Sequence, residues 1–96
     1  IKELTLTKPE KWDRIWRLVS YDIPNNLKKE RDWFRHTLRQ LGFRKIQESL
    51  WVHPFECKEE IAIIAQNLSV SPYIIVMATN HLPNQSKMEK YFNLNE

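Results

Sequence analysis

Residues 15–24 read IWRLVSYDIP, a run of β-branched, aromatic and aliphatic side chains that ends at a proline. This composition, with the turn residues Pro24-Asn25-Asn26 at its end, predicts a strand from Ile15 to Ile23. Side chains alternate between the two faces of a strand, and both alternating sets are apolar here, with Trp16 and Leu18 on one side. We therefore expect a strand that has no solvated face.

Two helical patterns lie farther along the chain. Leu27 to Leu41 carries its apolar residues at helical spacing on one face, and Gly42 stands where a helix takes a left-handed C-cap. Glu56 to Leu68 repeats the same spacing and begins with acidic residues, which the helix dipole favours in the first turn. Both segments are predicted to be helices.

Three further strands are predicted at Phe43–Ser49, Leu50–His53 and Tyr73–Ala78. The last run has no charged side chain, and we expect it to be buried on both faces. The order of elements is β-α-β-β-α-β. With right-handed crossovers this order predicts an α+β fold of ferredoxin-like type, an antiparallel sheet with two helices on one face.

The domain organisation follows from the same pass along the sequence. Residues 1–11 are predicted to be a leader or linker, residues 12–80 the ferredoxin-like domain, and residues 81–96 a C-terminal tail with a short helix around Lys87 to Phe92. The chain begins at Ile1 instead of Met, so we treat it as a potential fragment of a longer protein.

Composition narrows the class of protein. Ninety-six residues suit one domain, and an apolar fraction of 42% with four Trp and one Gly excludes disorder. The single cysteine, Cys57, has no partner for an internal disulfide, and neither a signal peptide nor a membrane span is present in the sequence. We expect a cytoplasmic protein with no membrane partner.

The two apolar faces of the sheet predict a partner. Two helices cover one face, so apolar side chains on the other face need a second cover. We expect a homodimer whose interface contains Trp16, Leu18 and Trp51. The alternative is that the tail from Leu82 to Leu94 folds back over this face.

The sequence resembles a known family in several places. The segments that carry the resemblance are WDRIWRLVSYDIP at 12–24, Arg31 with LRQLGF at 38–43, and QESLWVHP at 47–54. They resemble the central domain of the PaaX family of transcriptional repressors. They are also similar to the small dimeric nuclease-like subunit of CRISPR adaptation complexes, which shares the fold.

The resemblance implies a dimerisation and regulatory domain without catalytic activity, in a regulator whose DNA reading is done by a separate N-terminal winged helix. A nuclease that depends on a divalent metal, Mg²⁺, is the alternative that the CRISPR likeness implies. An unrelated ferredoxin-like ligand-binding domain is the third hypothesis. No cofactor is expected outside the nuclease alternative.

Asp22 is the residue that the resemblance marks for metal binding and catalysis. In a dimer it could hold Mg²⁺ with its symmetry mate, since Mg²⁺ is often held by one or two carboxylates and waters. Gln47 and Ser49 are expected near Asp22 by resemblance alone. The alternative is that Asp22 caps the helix that follows or accepts amide protons of the turn.

Positive charge is concentrated between Lys28 and Lys45, where seven basic residues stand against two acidic ones. One flank of the predicted helix carries Lys28, Arg31, Arg35 and Arg39. This row suits phosphates of a nucleic acid or an acidic effector, while a solvated helix face is the alternative. Trp33, away from the apolar stripe, could stack on a base or serve as a contact at an interface.

The sequence lacks the residues that a zinc site, a cysteine nucleophile or a glycine-rich phosphate loop would require. His53 and Cys57 have a spacing that could bring two metal ligands together, but no second Cys or His pair completes a zinc site. Cys57 has no recognisable base beside it in the sequence, and one glycine cannot form a glycine-rich phosphate loop.

Overall fold

A computed structural model describes residues 5–94 of the chain. Its strands are β1 (Trp16–Tyr21), β2 (Arg44–Gln47), β3 (Leu50–His53) and β4 (Ile74–Thr79). Its α-helices are α1 (Lys28–Gln40), α2 (Lys58–Asn67) and α3 (Gln85–Tyr91). Within the described residues, no helix is both long and apolar enough to cross a bilayer.

The strands form one antiparallel sheet in the order β2-β3-β1-β4. This order places β1 and β3 in the centre and leaves β2 and β4 at the edges. Leu18 of β1 lies opposite Val52 of β3 and Met77 of β4. The predicted α+β fold of ferredoxin-like type is confirmed.

Helices α1 and α2 pack on one face of the sheet and form the larger core with it. Members of this core include Val19, Tyr21, Phe34, Leu38, Trp51, Ile61 and Ile64. Helix α1 ends as the sequence predicts, because Gly42 has a φ of 94° that other residues rarely adopt. The Gly42 amide donates to the Arg39 carbonyl at 3.0 Å, and the Phe43 amide donates to the Leu38 carbonyl at 3.0 Å.

Strand β4 differs from its prediction. We expected it to be buried on both faces, but β4 is an edge strand in which Ile75 is 59% and Met77 is 42% exposed. Ile74 and Val76 pack against the larger core on the helix side. A run of apolar residues predicts a strand, whereas the position of that strand in the sheet depends on the order of pairing.

The opposite face of the sheet, which we call the open face, carries Trp16, Leu18 and Val52. The tail, residues 81–94, folds back over part of it, as in the alternative that the sequence left open. Leu82 and Met88 of the tail form a second buried cluster with Trp16 and Val52. The side chains that pack against this cluster are Trp12, Leu18, Ile46, Phe92 and Leu94.

The predicted leader is irregular where it is described. Residues 5–11 contain no helix or strand, and Leu6 packs against the larger core. Residues 1–4 of that prediction lie outside the described part of the chain.

Candidate functional site

Asp22 follows β1 and its side chain is exposed. The Asp22 amide donates to the Tyr73 carbonyl at 3.0 Å, and the neighbouring Tyr21 amide lies 3.4 Å from the Ser49 carbonyl. Ser49 is therefore close to the end of β1 that leads to Asp22. Gln47 is exposed at the end of β2, next to Leu50 in the β2–β3 pair.

The Asp22 carboxylate is poorly placed for a metal within a single chain. Among residues 5–94, no group of three or more His, Cys, Asp and Glu side chains could hold a metal ion. The short 3₁₀ turn at Asn25–Leu27 that precedes α1 receives no side-chain cap either. One chain therefore presents a single carboxylate here, and a second carboxylate for Mg²⁺ would have to come from another copy of the chain.

The basic row on α1 is engaged with groups of its own chain. Asp32 accepts from Lys28 at 3.0 Å and from Arg35 at 2.9 Å. The hydrogen bond from Lys28 lowers the pKa of the Asp32 carboxyl below its usual value. Arg31 donates to the side-chain oxygen of Asn25 at 3.0 Å. These cations are therefore already partly neutralised or held by hydrogen bonds.

Two tryptophans lie on or near this helix in different environments. Trp33 is 54% exposed, and its ring meets His36 edge-on at 6.0 Å between centroids. Trp51 is buried in the larger core, with the Arg39 guanidinium 5.5 Å from its ring centroid. Arg39 thus covers a core residue, whereas Trp33 remains available to solvent.

The three residues predicted for a dimer interface fall in different places. Trp16 is fully buried beneath the tail, with its ring 4.8 Å from Trp12 and 6.1 Å from Phe92. Trp51 lies on the opposite face of the sheet beneath the helices. Leu18 is half-buried at the border of the covered region, beside Met77.

Arg17 forms a cluster that the sequence analysis missed. It is 9% exposed and donates two hydrogen bonds to Asp13, at 2.9 and 2.7 Å. It also donates to the Pro54 carbonyl at 2.9 Å and approaches Glu56 at 3.5 Å. The hydrogen bond from Arg17 lowers the pKa of Asp13. The cluster joins the start of β1 to the segment between β3 and α2.

His53 and Cys57 occupy separate buried environments. The His53 Nδ1 accepts from the Phe55 amide at 3.1 Å, and burial lowers the pKa of His53 to about 4. Cys57 is buried in the larger core, where burial raises the pKa of its thiol to about 12. The Cys57 thiol is therefore protonated and unreactive at neutral pH.

A concave site lies between the open face and the tail, and we call it the sheet–tail pocket. Its volume is about 550 Å³. The sheet lines it with Leu18, Arg44, Lys45, Ile46, Gln47, Leu50 and Thr79. The tail lines it with His81, Leu82, Pro83, Asn84, Lys87 and Met88.

The four antiparallel strands with α1 and α2 on one face define an α+β domain of ferredoxin-like topology. A family model described as the PaaX protein central Cas2-like domain matches residues 9–91. The chain belongs to this family, as the resemblance predicted, and the matched span includes α3. No curated protein and no solved structure gave a match.

Proposed function

We propose that the chain is the dimerisation and regulatory domain of a PaaX-type transcriptional regulator and catalyses no reaction. Membership of the PaaX central-domain family supports the regulatory role. The observation that carries the dimerisation is that β4 is an edge strand, with no second strand paired to it among the described residues.

The two edges of the sheet differ in how they resist pairing with another strand. Strand β2 has four residues, two of them Arg44 and Lys45, and its pairing with β3 is interrupted between Lys45 and Gln47. Strand β4 has six residues, no charge, and an unbroken register with β1. Short length, charge and bulges are the features that protect an edge strand. Edge β4 has none of them.

The side chains of β4 add an apolar surface to this edge. Ile75 and Met77 are large and substantially exposed, and Met77 lies beside the half-buried Leu18. Covering such side chains contributes about 1 kcal/mol for each 40 Å² removed from water. A partner at β4 would therefore gain both main-chain hydrogen bonds and apolar contact.

A second copy of the same chain is the partner that suits β4. An antiparallel pair of identical strands obeys two-fold symmetry, and it would join two four-stranded sheets into one continuous sheet. With no charge along β4, two copies meet without like-charge repulsion between these strands. In this arrangement Leu18 borders the interface, and Trp16 and Trp51 stabilise each protomer from within.

The experiment is sedimentation equilibrium of wild type and of a variant with both Ile75→Lys and Met77→Lys. We expect wild type to dimerise and the variant to be monomeric, because two charges would face each other across the two-fold axis. The dissociation constant of the dimer should rise by at least about 100-fold in the variant. Ile63→Lys on α2 is the matched control, since Ile63 is 47% exposed but lies outside the β4 edge.

Hydrogen exchange supplies a second readout of the same interface. The β4 amides should gain protection as the protein concentration rises, and those of β2 should not. A wild type that stays monomeric at high concentration would contradict the dimer, and so would an Ile63→Lys variant that loses the dimer while the β4 variant keeps it.

The nuclease alternative rests on the exposed carboxylate of Asp22 at the end of β1. Incubation with Mg²⁺ or Mn²⁺ and either double-stranded DNA or RNA tests it directly. Under our proposal no cleavage occurs. Turnover that Asp22→Ala abolishes, in a variant with unchanged thermal stability, would favour the nuclease.

The basic row on α1 is assigned a structural role in this proposal. Lys28 and Arg35 share Asp32, and Arg31 holds Asn25, which supports stabilisation of the helix and its preceding turn. In a PaaX-type regulator, DNA reading would then belong to a separate winged helix. An acidic effector at this row would have to compete with Asp32 for Lys28 and Arg35.

A further inference from the structure

The sheet–tail pocket is lined by both apolar and polar side chains. Leu18, Ile46 and Leu50 come from the sheet, and Leu82 and Met88 come from the tail. Ligand pockets are typically about 300 to 1,000 Å³. The pocket's volume of about 550 Å³ falls within this range.

The charged side chains that line this pocket are all basic. Arg44, Lys45 and Lys87 line it, and neither Asp nor Glu does. Lys45 approaches the exposed Glu48 at 3.5 Å, and the Arg44 guanidinium stacks on Tyr91 at 4.2 Å from the ring centroid. Within residues 5–94, neither Arg44 nor Lys87 has an ion-pair partner. The charged side chains of the pocket therefore favour an anionic ligand.

A second cavity of similar size, about 560 Å³, gives a useful contrast. It adjoins the Arg17 cluster and is lined by carboxylates as well as cations, including Asp13, Glu56, Glu59 and Glu60. Its Arg17 is already satisfied by Asp13. That cavity has no comparable preference for an anionic ligand.

We propose that the sheet–tail pocket binds a small amphipathic anion, an aromatic or aliphatic body that carries a carboxylate, sulfonate or phosphate. The body would lie against Leu18, Ile46 and Met88, and the anionic group would face Arg44 and Lys87. This inference goes beyond the proposed function, because it assigns a ligand site that neither the β4 edge nor the family match provides.

The position of the pocket gives the ligand a regulatory consequence. One wall is the sheet and the other is the tail, so a ligand that contacts both binds only while the tail is docked. By linkage, such a ligand stabilises the docked tail over Trp16. Ligand binding would thus hold the tail in its docked position over the open face.

The probe for this site is 8-anilinonaphthalene-1-sulfonate, an aromatic sulfonate whose fluorescence rises in apolar surroundings. We expect saturable binding with one probe per chain and chemical-shift changes at the methyl groups of Leu18, Ile46 and Met88. The neutral analogue N-phenyl-1-naphthylamine lacks the sulfonate and should bind at least about tenfold more weakly. An unchanged near-UV circular dichroism spectrum distinguishes this from binding to a loosened core.

Matched variants separate the effect of a lost positive charge on sulfonate binding from the effect of a structural change. Lys87→Gln and Arg44→Gln should each weaken sulfonate binding about tenfold, since each removes a cation that faces the anionic group. Lys90→Gln changes a cation of the same helix outside the pocket and should leave affinity within about twofold. Tyr91→Leu removes the ring beneath Arg44 but keeps the charge, and it should behave like Lys90→Gln.

Several results would overturn the proposal. These are equal affinity for the neutral analogue, no effect of Lys87→Gln and Arg44→Gln, or shift changes confined to residues outside the pocket. The monomeric Ile75→Lys, Met77→Lys variant should still bind the sulfonate. Sulfonate binding by this monomeric variant would show that the pocket does not need the dimer, so the ligand proposal and the dimer proposal can each fail without the other.

Discussion

At the scale of single residues, His53 has the most unusual environment for a titratable group. Its imidazole lies among the rings of Phe43, Phe55 and Phe92, at centroid distances of 5.0, 5.5 and 5.7 Å. Burial among these rings disfavours the charged form and lowers the pKa of His53 from 6.5 to about 4. The neutral imidazole is thus part of the folded state.

This shift predicts how stability depends on pH. Between pH 6.5 and about 4 the unfolded chain binds a proton at His53 and the folded chain does not, so stability falls as the pH drops through this interval. The loss from this residue is at most ~3 kcal/mol. His53→Asn keeps an acceptor near the Phe55 amide but cannot titrate, and its urea unfolding curves should show a shallower loss between pH 7 and pH 4.

Protonation of carboxylates such as Asp13 also lowers the stability of the folded chain at low pH, and this happens both in wild type and in His53→Asn. The difference between wild type and His53→Asn therefore isolates the histidine. Parallel pH profiles for the two proteins would contradict the assignment.

The Arg17 cluster shows why parts of the site could not be predicted at this scale. Asp13 and Arg17 are four residues apart, a spacing that predicts an ion pair on a helix, but Arg17 lies in β1. The pair forms because the chain bends before β1, and the Pro54 carbonyl then approaches from the segment that follows β3. Sequence spacing carries no signal for that approach.

At the scale of elements, α3 is the feature with the largest consequence for the sheet. Met88 is 8% exposed and shares a cluster with Trp16, Val52 and Leu82. Met88→Ala should lower the free energy of unfolding by about 2 kcal/mol, because it leaves a cavity over the open face. Tryptophan emission should shift to longer wavelength as Trp16 gains contact with water.

The matched control for this prediction is Lys90→Ala, an exposed position on the same helix. It should change stability by less than about 0.5 kcal/mol. Equal effects of the two substitutions, or unchanged emission in Met88→Ala, would mean that α3 does not cover Trp16 in solution.

Most of the fold could be predicted from local patterns. The capping residue Gly42, the apolar stripe of α1 and the turn at Pro24-Asn25-Asn26 each act within a few residues of sequence. The exposure of Ile75 and the docking of the tail depend instead on which strand pairs with which. Such long-range choices leave little trace in residue spacing, so β4 was wrongly expected to be buried on both faces.

At the scale of the whole molecule, apolar cover is unevenly distributed over the sheet. One face is covered by α1 and α2, and the described part of the tail covers the open face around Trp16 and Val52. The uncovered remainder lies toward β4, where Ile75 and Met77 are exposed. The proposed dimer edge at Ile75 and Met77 and the sheet–tail pocket therefore lie on the same face and adjoin at Leu18.

Dimerisation through β4 predicts a thermal stability that depends on concentration. Association stabilises the folded chain by mass action. The Tm of wild type should rise by roughly 5 °C from about 5 µM to about 500 µM, as expected for a domain of this size. The Ile75→Lys, Met77→Lys variant should show a constant Tm, and a constant Tm in wild type would argue against the dimer.

Trp16 and Trp51 also have one property in common. The indole N–H groups of both are buried and have no acceptor among the described residues. One indole lies beneath the tail and the other beneath the helices, so each proton can exchange with solvent only when its own layer opens. The chain therefore contains two natural reporters in a nitrogen-proton spectrum, one for the detachment of each covering layer.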